Sequence, residues 1–153
     1  LGCNLGMFYK RRDYTRVVNG RNPIVAHEYL GDSVEGKTVF IADDIIASGE
    51  SMLEVASNLK TRGAKRIIAD ATFPLFTSGL DKFDKAVEEG TLDYVVGTNL
   101  TYRKPELLNR DWYVDVDVSK YAAYFIVALN HDMSVSSIID PIKKIEALLA
   151  NRK

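Results

Sequence analysis

Short apolar runs recur along the chain, and each is closed by glycine, proline or acid. Leu5 to Tyr9 (LGMFY) forms a first strand-like run, and Ile24 to Leu30 a second, stopped by Gly31 and Asp32. After a turn at Gly36-Lys37, Thr38 to Ala42 (TVFIA) is apolar and partly β-branched, the pattern of a strand buried on both faces. The period then changes. Met52, Val55, Ala56 and Leu59 fall at i, i+3, i+4 and i+7, a single helical stripe that Gly63 closes, with Lys60 and Arg62 placed well for the end of a helix dipole. Arg66 to Thr72 returns to a strand pattern. Strand, helix and strand within residues 38–72 predict a βαβ unit with two parallel strands and a right-handed crossover. A helix over Gly79 to Glu89, strands at Tyr94 to Gly97 and Trp112 to Val116, and helices over Ser119 to Asn130 and Ile142 to Asn151 complete the series. The alternation predicts an α/β domain: a doubly wound, mostly parallel sheet with flanking helices.

Composition narrows the chemistry. The 153 residues suffice for one domain with a real core, and no linker, repeat or low-complexity tract divides them. A formal net charge of −1 argues against a nucleic-acid coat or a polybasic membrane anchor. The longest apolar run, Tyr121 to Leu129, is well short of the ~20 residues that cross a bilayer, and no signal-peptide pattern opens the chain. A single cysteine, Cys3, excludes an internal disulfide framework. A reducing cytoplasm is the expected setting. His27 and His131 lack metal-ligand spacing and are expected to be a strand residue and a helix cap. Trp112, Tyr113, Tyr121, Tyr124 and Phe125 are expected in core or oligomer contacts.

The candidate chemistry lies at the end of the TVFIA strand. In open α/β sheets, ligands bind beyond the carboxyl ends of strands. Here Asp43 and Asp44 are expected to leave the strand, Ala47-Ser48-Gly49-Glu50-Ser51 to turn, and a helix to follow. A helix N-terminus offers unpaired N–H groups and partial positive charge to a phosphate. Gly49 is expected to let the backbone approach it closely, and Ser48 and Ser51 can donate hydroxyl hydrogen bonds. The two carboxylates suit a vicinal diol or a hydrated magnesium ion. Phosphate at the loop and diol at the acids describe a sugar phosphate. Successive strand residues point to opposite faces, which would leave one of the two acids to meet the ligand. An acid pair after a strand also fits a helix cap with a solvated neighbour, or the acidic cluster of a receiver domain.

The segment VFIADDIIASGES resembles the PRPP-binding motif of type I phosphoribosyltransferases and PRPP synthetases: strand, two acids, three variable residues, then Ser/Thr-Gly-x-Ser/Thr. The resemblance implies a type I phosphoribosyltransferase-like fold, with Asp43 and Asp44 at the ribose hydroxyls and Ala47, Ser48, Gly49, Glu50 and Ser51 around the 5′-phosphate. Two departures stand out. Ala47 occupies a position where many PRPP synthetases carry Asp, and Glu50 brings a negative charge toward the phosphate.

Upstream, Lys10, Arg11, Arg12, Arg16 and Arg21 put five cations in twelve residues against one acid, Asp13. A basic cluster is most often a solvated surface. Its order, though (FYKRR, a polar loop, IVAHEYLGDSVEGK, then VFIADD), is similar to the arrangement in PRPP synthetases, where a strand leads into a flexible catalytic loop. The resemblance implies such a loop at about residues 10–23, with Lys10 and Arg12 catalytic, and a ribose-phosphate loop at residues 43–51. It further implies ribose-phosphate diphosphokinase activity, with ATP and Mg²⁺, ribose 5-phosphate as acceptor, and a homo-oligomer (a hexamer in the family). The chain is expected to be a C-terminal half, with an N-terminal domain missing upstream and no activity alone. The competing readings are a phosphoribosyltransferase that consumes PRPP, a non-catalytic regulatory paralogue of PRPP synthetase, and a receiver-type domain.

Overall fold

The computed structural model describes residues 2–12, 15 and 24–151. Strands β1 (Met7–Arg12) and β2 (Ile24–Leu30) form an antiparallel two-stranded ribbon, from Met7 opposite Leu30 to Arg12 opposite Ile24. Among the described residues, this ribbon is separate from the main sheet. Lys10, Arg11 and Arg12 are the last three residues of β1, at the end of the strand. The rest of the expected loop, apart from Thr15, lies outside the described residues, as do the side chains of Lys10, Arg11, Arg12 and His27.

The main sheet has the order β3-β4-β5-β6: β3 (Thr38–Ile46), β4 (Arg66–Pro74), β5 (Tyr94–Thr98) and β6 (Tyr113–Val116), every pair parallel. The expected βαβ unit is present, with α1 (Glu50–Thr61) joining β3 and β4 and α2 (Asp81–Glu88) following β4. Right-handed crossovers that all step one way put these helices on one face. Accordingly Met52, Ala56 and Leu59 of α1 and Phe83 and Ala86 of α2 share one core with Ile67, Ala69, Ala71 and Val95 of the sheet. Arg62 caps α1, and Gly63 (φ 85°) takes the left-handed residue that ends it. The short helix α3 (Pro105–Leu108), opened by a proline, leads into β6. Helices α4 (Ser119–Asn130), α5 (Ser136–Ile139) and α6 (Ile142–Ala150) close the chain. His131 is the C-cap of α4, as expected.

The opposite sheet face is open. Phe40 on β3 is 59% exposed, and Tyr94 on β5 and Val114 and Val116 on β6 are also exposed. The ribbon reaches the core through Phe8 and Tyr29, whose rings lie 5.2 Å apart, and through the Arg62 guanidinium, 5.2 Å from the centre of the Tyr29 ring. Glycine makes this junction possible: a Cβ on Gly6 would overlap the Tyr29 ring. Between the segment Cys3–Phe8 and the edge of β3 runs a cleft of about 780 Å³ with Asp43 in its lining. Cys3 is exposed and unbridged. No described helix is long and apolar enough to cross a membrane.

Candidate functional site

The carboxyl ends of β3 and β4 define the site's rim. Strand β3 extends to Ile46, so both acids lie within its second half rather than after it. The strand is not regular there. Ile41 packs on the core and Ile46 is buried in it, although residues five apart point to opposite faces in an ideal strand. In β4, Ala71 and Pro74 are likewise both buried at an odd spacing. The pleat therefore shifts in both strands across the stretch that bears the acids, and the rule that one of two neighbouring acids must face away no longer applies. Asp43 and Asp44 are both exposed, and Asp43 Oδ1 accepts the Asp44 N–H at 2.9 Å.

The turn after Ile46 is held from below. Ile46 carbonyl accepts the N–H groups of Leu75 (2.9 Å) and Phe76 (3.1 Å), and Ala47 carbonyl accepts that of Thr77 (2.9 Å). These bonds lock the 47–49 turn to the β4–α2 loop. Phe76 sits at φ 46°, a left-handed conformation that costs a non-glycine residue about 1 kcal/mol. Its buried ring offsets this by meeting Phe83 edge-on at 4.8 Å, while Phe83 stacks on Trp112 at 5.8 Å. Trp112 and Tyr113 are core residues, as expected; Tyr121 and Tyr124 are partly exposed and meet each other edge-on.

Gly49 is the N-cap of α1 at φ 79°, and a Cβ there would overlap the Phe83 ring. Its missing side chain makes room for the core below. The helix begins at Glu50, two residues earlier than expected, so Glu50 and Ser51 belong to its first turn. The N-cap supplies no side-chain bond, and the Glu50 N–H donates to Ser48 Oγ at 3.5 Å. A helix N-terminus presents backbone N–H groups and partial positive charge to an anion. Glu50 is drawn sideways, its Oε1 accepting from Lys82 Nζ at 2.6 Å. Ala47 and Ser51 are exposed and Ser48 is half-buried. The structure thus brings Asp43, Asp44 and Ala47 to Ser51 onto one rim, whereas the side chains of Lys10 and Arg12 lie outside the described residues.

Several supporting residues carried no readable signal in the sequence. Asp84 accepts two bonds from Arg110 (2.9 and 2.8 Å) and one from Trp112 Nε1 (2.8 Å). Burial alone would push its carboxyl up, but those bonds and the Arg110 charge outweigh it and hold it below the usual range. Further round the rim, Asn99 donates to Asp117 (2.6 Å) and Ser119 (2.8 Å) and accepts from the Val118 N–H (2.9 Å), tying the end of β5 to the start of α4. Hydrogen bonds from the Ser119 side chain and backbone, and then from Asn99, hold the Asp117 carboxyl low. Asp43 and Asp44 are oxygen donors of the class magnesium takes, but no group of three or more His, Cys, Asp and Glu gathers around a metal position among the described residues.

Comparison with known proteins places the chain in a family. Among curated proteins, the chain is 31% identical over 140 residues to "Ribose-phosphate pyrophosphokinase" of Thermotoga maritima, covering 90% of this chain and 40% of that protein. It is 29% identical over 135 residues to the protein of the same name from Shewanella oneidensis, covering 88% and 40%. The chain thus spans about 40% of the length of these relatives. Its fold is similar to that of phosphoribosylpyrophosphate synthetase from Mycobacterium smegmatis, with a TM-score of 0.59 and 22% identity over 70% of this chain and 34% of the other. The family model described as "Phosphoribosyl transferase domain" matches residues 1–121, well over half of the sequence, and the chain belongs to that family.

Proposed function

We propose that this chain is the ribose-phosphate-binding, C-terminal half of a ribose-phosphate diphosphokinase, an enzyme that transfers diphosphate from Mg-ATP to the C1 hydroxyl of ribose 5-phosphate. The observation that carries the reading is the uncapped start of α1 beside two exposed carboxylates. The 5′-phosphate would dock on the amides of Ser48 to Ser51, and the ribose hydroxyls would donate to Asp43 and Asp44. The relatives that share the name ribose-phosphate pyrophosphokinase support the choice of reaction.

In this reading the C1 oxygen attacks the β-phosphorus of ATP, the bond to the α-phosphate oxygen breaks, and AMP leaves. Lys10 and Arg12 stabilise the charge that builds on the transferred oxygens, a contribution that typically makes about a 10²–10³-fold difference in rate per donor. Magnesium carried in with ATP would neutralise phosphate charge, with Asp43 and Asp44 as its candidate oxygen donors in this chain. A cytoplasmic location and a homo-oligomer fit the same reading. Binding and turnover test separate parts of it. Titration with ribose 5-phosphate should move the amide resonances of Asp43 to Ser51 at millimolar ligand. The 153-residue chain alone should release no AMP from ATP and ribose 5-phosphate. Unmoved resonances would remove the sugar-phosphate site; AMP release would show that the reaction needs no second half.

A further inference from the structure

The two edges of the main sheet are guarded differently. At one edge, β6 is four residues long and carries Asp115, whose carboxylate meets Arg103 Nε at 2.7 Å. Short, charged edges resist pairing with another strand. At the other edge, β3 pairs with β4 alone among the described residues. From Thr38 to Ala42 it keeps a regular register and has no charge and no proline. The backbone groups on that edge are a template for a further strand. The sheet is also entirely parallel, a type found almost only with both faces covered. Yet Phe40, Ile68 and Tyr94 stand in one row across its open face, and Phe40 and Tyr94 are exposed. The cleft of about 780 Å³ runs along the same edge, with residues 39–43 in one wall and Leu5, Met7 and Phe8 in the other. A strand at sheet spacing fills about 160 Å³ per residue, from about 4.8 Å between strands, about 10 Å between layers and about 3.3 Å along the chain. The cleft therefore holds about five strand residues, the length of the unguarded stretch from Thr38 to Ala42.

We propose that this cleft is the seat of a further sheet strand, parallel to β3 and supplied by the part of the protein outside these 153 residues, with the segment after it covering Phe40 and Tyr94. The inference rests on the reading above of the chain as the C-terminal half of a longer enzyme. The relatives are long enough to supply the strand, since this chain spans about 40% of their length. A strand parallel to β3 ends level with Asp43, which lines the cleft. Ligands of such sheets bind beyond the carboxyl ends of the strands. The segment that completes the sheet thus also walls the Asp43 end of the rim.

The test compares amide hydrogen exchange at residues 38–43 in two proteins: the 153-residue chain, and a joined protein in which the N-terminal portion of the Thermotoga maritima relative precedes it. Alternate residues of a parallel strand bond to opposite neighbours. In the 153-residue chain one alternate set should be protected by β4, and the other should exchange freely. Protection of both sets in that chain would overturn the proposal whatever the joined protein does, and a dimer's mass in solution would then assign the edge to a second copy. In the joined protein the free set should become as protected as the set bonded to β4; an unchanged free set would overturn the proposal. Phe40→Lys supplies a second measurement. The variant of the 153-residue chain should keep its urea midpoint, because Phe40 is already exposed there. In the joined protein the same change should cost the edge amides about tenfold or more in protection, the effect of uncovering an aromatic side chain. No such cost would show that nothing covers Phe40. Titration of the joined protein with ribose 5-phosphate separates this inference from the functional reading. Shifts at Asp43 to Ser51 with an unprotected edge would keep the sugar-phosphate site and remove the strand. A protected edge without those shifts would keep the strand and remove the sugar-phosphate reading.

Discussion

The phosphate turn and the ribbon that bears the basic residues are built in opposite ways. Residues 46–51 rest on three backbone hydrogen bonds and on the packed rings of Phe76, Phe83 and Trp112. The ribbon β1–β2 pairs only with itself and meets the core through Phe8, Tyr29 and the cation–π contact of Arg62. One region is fixed by burial, the other by a small aromatic hinge beside a cleft. Such a division suits the proposed reaction, in which the sugar phosphate would be held still while cations close over a transferred group. It also means that mutations in the two regions should report through different observables.

The largest effect is expected at Gly49. Valine there must adopt φ near 79° and push its Cβ into the Phe83 ring. A left-handed conformation at a β-branched residue and overpacking against a buried ring together cost about 3 kcal/mol or more. Urea denaturation should show that loss. Gly79→Ala is the control, because φ is 83° but nothing lies within 4 Å of the added Cβ. Only the conformational cost of about 1 kcal/mol should remain. Equal losses at the two glycines would mean that Phe83 yields easily and that the phosphate turn is not rigidly supported.

Pattern alone located most of the scaffold. The period-2 and period-3.6 stretches marked β3, α1, β4 and β5 because each buries one face against the same core, and burial is what hydrophobic spacing encodes. The acids and the turn were legible for a second reason, since strand, carboxylates and small residues are contiguous in the chain. What escaped depends on contacts distant in sequence. Lys82 reaches Glu50 across 32 positions and Arg110 reaches Asp84 across 26. The packing of Phe83 under Gly49 escaped similarly, because Phe83 lies more than thirty residues downstream. The pairing of β1 with β2 escaped because an apolar run does not state its pairing partner. Its ribbon is also held by Tyr29, cradled by Gly6, a contact that no local pattern announces.

A smaller effect should follow from loosening that hinge. Tyr29→Ala removes the ring pair with Phe8 at 5.2 Å, the cation–π contact with Arg62 and the bond from its hydroxyl to the Asp32 carbonyl at 3.1 Å. Global stability should fall by about 1–2 kcal/mol, within the range for an aromatic pair and one partly exposed cation–π contact. The sharper measurement is amide hydrogen exchange. Protection should drop in Met7–Arg12 and Ile24–Leu30 while Ile46–Ser51 keeps its own. Loss of protection at the phosphate turn as well would show that the two regions unfold as one unit and that the contrast between them is false.

The smallest expected change concerns charge alone. Lys82 and Glu50 are joined at 2.6 Å, yet both side chains are more than half exposed, so the pair contributes under about 0.5 kcal/mol to stability. Its value would lie in direction: Lys82 holds a carboxylate of the first helical turn away from the position proposed for the phosphate, and adds a positive charge on that side. Lys82→Ala should therefore leave the urea midpoint nearly unchanged and weaken ribose 5-phosphate binding about two- to threefold at low salt. Glu50→Gln should strengthen it by a similar factor, and in the double variant the Lys82 substitution should matter less. Both effects should shrink as ionic strength rises from about 0.01 M to 1 M and the Debye length contracts from about 30 Å to 3 Å. Binding that is indifferent to Lys82 at low salt would place the phosphate beyond the reach of the first turn of α1, and the rigid half of the comparison would then support something other than a phosphate site.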